Sequence, residues 1–359
     1  MFLYNFRTAL RAGALCLSAV AFGVCADVSR PVVIDRAARE VAQPEQSFLL
    51  GAAHAGSRLV AVGESGLVIL SDSDGKTWRQ AEVPTSVMLT DVGFANERAG
   101  WAIGHLGVVL RTEDGGETWT RQLDGIAAAN LVLEAVRARV AQADDDSSQM
   151  ALRQAEYLVE DGPDKPFLAV RVESPERALI LGAYGYALRT EDGGRTWATV
   201  ANSFDNPMGL HYYDIACAGR TSLVVGEQGM ALRARPDGGY EQIQQPYEGS
   251  LFGVEAPDGD SFVAFGLRGN VVHSADQGDN WTEVDSGVSA SIQAGTVLRD
   301  GAVLLAAENG QMITSRDGGR HFKLLQQRAQ PAADILQISD SNVLVVGPRG
   351  AQVVDLAVR

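Results

Sequence analysis

The sequence predicts an all-β fold, a seven-bladed β-propeller of four-stranded blades with a helical-hairpin insertion between blades 2 and 3. Three observations predict it. A Gly-x-x-Gly tetrad behind an apolar run recurs at a spacing near 41 residues. A second motif, Ser/Thr-x-Asp-x-Gly-x-Thr-Trp, follows most tetrads within seven or eight residues. The runs around each tetrad are short, alternating and rich in β-branched residues, as half-buried strands are. A period near 40 with four short strands per unit is that of a propeller blade.

The first element is a leader. Residues 1–26 place Arg7 and Arg11 before an apolar run from Ala12 to Val24, with Val24-Cys25-Ala26 just ahead of Asp27. That order is the order of a secretory signal peptide. We expect cleavage after Ala26 and a periplasmic mature chain of residues 27–359. The run is shorter than the roughly 18–20 apolar residues of a helical span. No later segment is long and apolar enough to span, and Phe22-Gly23-Val24 is a poor lipidation signal ahead of Cys25. The mature chain would hold one cysteine, Cys217, and so form no internal disulfide.

The next run, Pro31-Val32-Val33-Ile34-Asp35, fits no slot in blade 1. We expect residues 31–35 to supply the fourth strand of blade 7, closing the ring and removing its open edges. The tetrads then follow as Gly63-Glu-Ser-Gly66, Gly104-His-Leu-Gly107, Gly182-Ala-Tyr-Gly185, Gly226-Glu-Gln-Gly229, Gly266-Leu-Arg-Gly269, the degenerate Ala307-Glu-Asn-Gly310, and Gly347-Pro-Arg-Gly350. Each should turn the second strand of a blade into the third.

The second motif is the Asp-box. Thr112 to Trp119 and Thr190 to Trp197 match it fully, while Ser274 to Trp281 has Asn280 for Thr and Ser315 to Phe322 ends in His-Phe. Ser71 to Trp78 shifts the Asp by one place, and Arg235 to Tyr240 loses the Thr-Trp end. An Asp folded onto the amides of its own turn, a Gly at left-handed φ and a Trp packed between sheets make this a structural device. We therefore read these aspartates as turn residues, not as catalytic acids or metal ligands.

One interval between tetrads, from Gly104 to Gly182, exceeds the period and holds an insertion near residues 125–163. Leu131, Leu133, Val136 and Val140 follow helical spacing, and Met150, Leu152, Tyr157 and Leu158 follow a second set. The acidic run Asp144 to Asp146 separates them, with Asp146 or Ser147 expected to cap the second helix.

The formal net charge is −15, or −17 without the leader. A body this acidic repels nucleic acid and anionic lipid. The five histidines show no metal-ligand spacing, and no nucleophile elbow or phosphate-binding loop is present. We expect no cofactor, no metal and no catalytic residue.

The order Asp91-Val92-Gly93-Phe94, then Gly100-Trp101-Ala102-Ile103-Gly104-His105-Leu106-Gly107, then Arg111-Thr112-Glu113-Asp114-Gly115-Gly116-Glu117-Thr118-Trp119 closely resembles the chloroplast and cyanobacterial photosystem II stability/assembly factor family. The resemblance extends to its exported bacterial branch, carries Asp-box (BNR) repeats, and covers residues 45–359. It implies a seven-bladed propeller without enzymatic activity that holds or matures a membrane-protein complex. Exported members accompany envelope transporters, so the resemblance implies a membrane-protein or envelope complex, such as a transporter, as partner. The alternative is a sialidase-like glycoside hydrolase or carbohydrate-binding propeller, which also carries Asp-boxes. Tyr212 and Tyr213 beside Asp214 are its best candidates, but neighbours in sequence are not a nucleophile pair.

In a propeller the tetrad turns and the insertion share one face, opposite the Asp-boxes. Among the middle residues of the tetrads, His105, Tyr184, Arg268 and Arg349 are the expected partner-binding residues. Aromatic and Arg side chains carry most hot spots.

Overall fold

The computed structural model describes residues 30–143 and 145–357. The leader and its cleavage site lie outside the described residues, as does Asp144.

Seven antiparallel sheets are arranged around one ring, each with its strands in chain order. We name the strands of each blade A to D. Blade 1 comprises Leu49–Ala55, Arg58–Gly63, Val68–Ser71 and Arg79–Gln80. The other A strands are Leu89–Phe94, Phe167–Val172, Tyr212–Ala218, Leu251–Glu255, Ile292–Val297 and Asp334–Gln337. Each A strand contacts the A strands on either side, and that of blade 7 contacts that of blade 1. They therefore form the inner wall. The core is divided among the blade interfaces. Leu49, Ile69, Leu344 and Val346 join blades 7 and 1, for example, and Leu223, Val225, Leu251 and Phe262 join blades 4 and 5.

All seven tetrads turn strand B into strand C. The register Leu49↔Gly63 puts the start of strand A beside the end of strand B, so the tetrads and the channel mouth lie at the same end of the ring. In blades 1 to 5 the third tetrad residue adopts left-handed φ: Ser65, Leu106, Tyr184, Gln228 and Arg268. Blade 7 differs, because Gly347 pairs directly with Gly350 across a two-residue turn.

The Asp-boxes show the expected turn chemistry. In blade 2 the Thr112 hydroxyl donates to Asp114 Oδ1 (2.8 Å) and accepts the Gly116 amide (2.9 Å). Asp114 Oδ1 and Oδ2 accept the amide (3.0 Å) and hydroxyl (2.6 Å) of Thr118, and the Trp119 indole donates to the Gly116 carbonyl. In blade 1 the shift seen in sequence resolves into a substitution. Ser73 holds the acid's place, accepting the Thr77 amide (3.0 Å), while Asp74 takes a left-handed φ of 54°.

Residues 31–35 do not close blade 7. Val32–Asp35 form a single helical turn, α1, over the interface of blades 1 and 2. Only Ile34 is buried there, among Val60, Leu89 and Leu110, and Val32 is 74% exposed. The segment is tied down instead by the Ser86 amide donating to the Val33 carbonyl and the Ala38 amide donating to the Val83 carbonyl. A strand would alternate two buried side chains; this run has one to bury. Among the described residues blade 7 therefore has three strands, Asp334–Gln337, Asn342–Gly347 and Gly350–Asp355.

The insertion forms two helices, α2 (Gly125–Val140) and α3 (Asp146–Glu160). Asp124 caps α2 by accepting the amides of Ile126 and Ala127. Asp145, and not Asp146 or Ser147, caps α3 by accepting the Ser148 amide (2.8 Å). The start of α2 lies against the second tetrad: a Cβ on Gly107 would fall 2.5 Å from the Gly125 Cα, so only glycine fits there. Leu133, Val136 and Ala155 bury between the helices. Ala128, Leu131, Val132 and Leu158 pack on the core of blades 2 and 3 with Phe167, Tyr186 and Trp197.

Candidate functional site

The tetrad face is the first candidate surface. The structure sets His105, Tyr184, Arg268 and Arg349 exposed on tetrad turns of blades 2, 3, 5 and 7. None of the four touches another through a hydrogen bond, ion pair or ring contact. Tyr184 alone belongs to a larger assembly. Its ring is 55% exposed, lies 4.8 Å from the His211 ring and carries the Lys165 ammonium 5.1 Å above it. From His211 the contacts continue to Tyr213 (6.5 Å) and on to Phe252 (5.7 Å). This aromatic run crosses from blade 3 to blade 5 and ends at the channel, which Tyr213 and Phe252 line. Glu227 fixes His211 at one side by accepting its amide (2.9 Å).

The channel is the second candidate. It is a cavity of about 210 Å³, and its lining includes Asp91, Asp214, Glu255 and Asp334 but no lysine, arginine or histidine. Three of these acids occupy one slot near the start of strand A, opposite the strand B residue just before the tetrad: Asp91↔Ile103, Asp214↔Val225 and Asp334↔Val346. Around the ring the seven slots read Gly51, Asp91, Ala169, Asp214, Gly253, Ala294 and Asp334. Every Asp is followed by a small residue in the next blade, and the reason is visible in the hydrogen bonds. Asp91 accepts its own neighbour's amide, Val92, at 2.7 Å, and reaches across to the Val170 amide of blade 3 at 2.7 Å. Asp214 likewise accepts Ile215 (2.7 Å) and Val254 of blade 5 (2.9 Å). Asp334 accepts Ile335 (2.7 Å) and Ala52 of blade 1 (2.8 Å). At Gly253 a Cβ would already come within 3.4 Å of Asp214 Oδ2, so a larger side chain in that slot would crowd the carboxylate.

Enclosure in the wall pushes these carboxyls upward, against the pull of the amides that favour the charged form. Asp91 is raised to about 7, Asp214 to about 6 and Asp334 to about 8, in each case mainly by desolvation. Glu255 is raised well above its ordinary value by desolvation and by the charges of Asp214 and Asp334.

The hydrolase candidates do not assemble. Tyr212 is buried against Phe204 with its phenol raised to about 12, whereas Tyr213 faces the channel. Asp214 is committed to two amides, and no arginine lines the channel to clamp a substrate carboxylate. Sequence reasoning named Asp91 and Asp214 only within other patterns and missed their shared slot. The signal was present: Leu-Thr-Asp-Val, Tyr-Tyr-Asp-Ile and Ala-Ala-Asp-Ile each place their Asp about a dozen residues ahead of a tetrad.

Comparison with known proteins agrees with this architecture. A family model described as photosynthesis system II assembly factor YCF48 matches residues 62–142. The photosystem II assembly protein Ycf48 of Synechococcus sp. (strain JA-2-3B'a(2-13)) is 29% identical over 147 residues, 37% of this chain and 42% of that protein. The chloroplastic stability/assembly factor HCF136 of Arabidopsis thaliana is 40% identical over 68 residues, 18% of this chain and 17% of that protein. The chain thus spans less than half the length of these curated relatives. Among solved structures, YCF48 from Cyanidioschyzon merolae superposes with a TM-score of 0.64 at 17% identity, covering 88% of this chain and 97% of that one. A YCF48 bound to D1 peptide gives 0.64 at 16% identity, covering 89% and 99%. At these identities the structural likeness speaks for the fold alone.

Proposed function

We propose that this chain, a propeller of the photosystem II assembly factor-like family, is a non-catalytic scaffold that holds a segment of a membrane-protein complex during assembly. The observation that carries this reading is the aromatic run Tyr184–His211–Tyr213–Phe252, which leads from an exposed ring on the tetrad face to the channel mouth. Exposed aromatic rings backed by rigid turns supply contact area at low conformational cost, which is the chemistry of a docking surface. The relatives named as assembly and stability factors, and the YCF48 bound to D1 peptide, support the same reading.

The finer part of the proposal is that the chain works in the periplasm after removal of residues 1–26, on an envelope complex such as a transporter. The basic and apolar leader supports it. Among the described residues no helix is long and apolar enough to cross a membrane. Intact-mass measurement of the exported protein should give a chain starting at Asp27; a retained leader or a lipidated Cys25 would overturn that part.

The scaffold reading is tested by a photo-crosslinker at position 184 in the native envelope, with the captured protein identified by mass spectrometry. A membrane-complex subunit is expected, and capture from a second site in the run, position 252, should yield the same subunit. Capture unchanged by Phe252→Ser combined with Arg268→Ser, or no membrane-complex subunit from either site, would refute it.

A further inference from the structure

We propose that the channel seats the cationic side chain of a lysine or arginine carried by the partner segment that docks on the tetrad face. This rests on the scaffold reading and adds the chemistry of what the scaffold grips. Two features of the wall and its mouth support it.

The first is an acid left over. Asp91, Asp214 and Asp334 each spend both oxygens on backbone amides, whereas the Glu255 carboxylate lines the same channel and has no hydrogen-bond or ion-pair partner among the described residues. An unpaired carboxyl in a confined site is costly to ionise and is relieved by a cation. Nor does the protein supply one. The basic residue at the matching position of blade 3, Arg171, is turned to Glu173 (3.9 Å) and does not line the cavity.

The second is the approach. Tyr213 and Phe252 stand at the mouth, continuous with the exposed Tyr184, and the Lys165 ammonium over the Tyr184 ring is an internal instance of a cation held on this aromatic run. A partner chain crossing the tetrad face along these rings passes directly over the channel.

The site would also release protons. The groups facing the cation are Asp91, Asp214, Glu255 and Asp334, all raised above the ordinary carboxylate range, with Tyr213 at the rim raised by burial. A bound cation favours their charged forms.

The test is calorimetric titration of the full chain with the capped peptide Gly-Ser-Lys-Ser-Gly, its arginine counterpart, and the same peptide with neutral norleucine. The basic peptides should bind with proton release, tighter at pH 8 than at pH 6, and the norleucine peptide about tenfold or more weaker. Glu255→Gln should lose at least about tenfold for the basic peptides while melting no lower than the parent, because Glu255 makes no hydrogen bond to forfeit. Equal binding of the lysine and norleucine peptides, no binding of the basic peptides, or unchanged affinity in Glu255→Gln would overturn the proposal. If crosslinking captures a membrane-complex subunit but the basic peptides do not bind, the channel site falls and the scaffold stands. If the peptides bind and no subunit is captured, the reverse holds.

Discussion

Asp334 Oδ2 accepts the Ala52 amide at 2.8 Å, joining the last blade to the first across 282 positions of sequence. Beside it the His54 Nε2 lies 2.8 Å from the Gln337 carbonyl, a second clasp over the same junction. No strand is shared between these blades among the described residues, so the ring is held here by side chains, by apolar packing around Leu49 and Val346, and by the short turn Pro44–Gln46 against Gly350.

Replacing Asp334 with Ala should therefore loosen this junction first. The Ala52 amide loses its acceptor, so hydrogen exchange should rise at Ala52 and in Asp334–Gln337 before it rises at the Asp91 clasp. Uniform exchange across all blades would show that the junction is no weaker than the others.

Stability should have a maximum in mild acid. The channel carboxyls are raised in the folded state, so they stabilise fully below the ordinary carboxylate range and progressively less as pH climbs through about 6 to 8. Each proton surrendered costs up to about 1.4 kcal/mol per pH unit over that window. On the other side Asp192 is lowered to about 2 by the amide and hydroxyl of Thr196, so its contribution is lost as pH falls from about 4 to 2. Melting temperatures from pH 2 to 9 should trace this shape. The alkaline slope should flatten in the Asp334→Ala variant, which lacks the most strongly raised of the three Asp carboxyls.

In the Asp-box of blade 2, Thr112→Val should cost about 1–3 kcal/mol, since it strands the buried Gly116 amide and removes a donor from Asp114. Thr112→Ser keeps both bonds and should recover most of the loss. Chemical denaturation of the two variants measures it, and a Thr112→Val chain as stable as the parent beside a destabilised Thr112→Ser would place the value of Thr112 in its methyl group.

Exchanging the α2–α3 hairpin for a short Gly-Ser turn should leave a cooperative fold that melts lower. Ala128, Leu131, Val132 and Leu158 would no longer cover Phe167, Tyr186 and Trp197, and each large apolar side chain so uncovered forfeits up to about 1.5–3 kcal/mol. Thermal melting with a tryptophan fluorescence readout, in which Trp197 becomes wetter, checks this. An unchanged melting temperature would mean that the hairpin is only an appendage.

Much of this molecule is legible in its repeats. Seven tetrads announce seven turns because glycine is demanded by the left-handed φ at Gly66, Gly107 and their counterparts. The hairpin is legible from apolar spacing at Leu133 and Val136. Residues 31–35 mislead because Val-Val-Ile is a strand by propensity, while tertiary contact with blades 1 and 2 rewards burying Ile34 alone. The aromatic run was hidden for a different reason. Tyr184 lies on a tetrad turn while His211, Tyr213 and Phe252 lie at the starts of two A strands, and no repeated motif marks aromatic residues at those positions.

The inner slots have a consequence in parity. A residue that reaches forward into a small neighbour sets up a two-colour pattern, and a closed cycle with an odd number of places cannot be coloured alternately throughout. In this seven-membered cycle the fault falls between Gly253 and Ala294, the one place where two small residues meet. An even-membered propeller built on the same rule would have no such fault, and all its reaching positions would be equivalent by rotation. Here oddness alone singles out one bearing on the compass of the ring, and a docked segment can be oriented by it without any added loop.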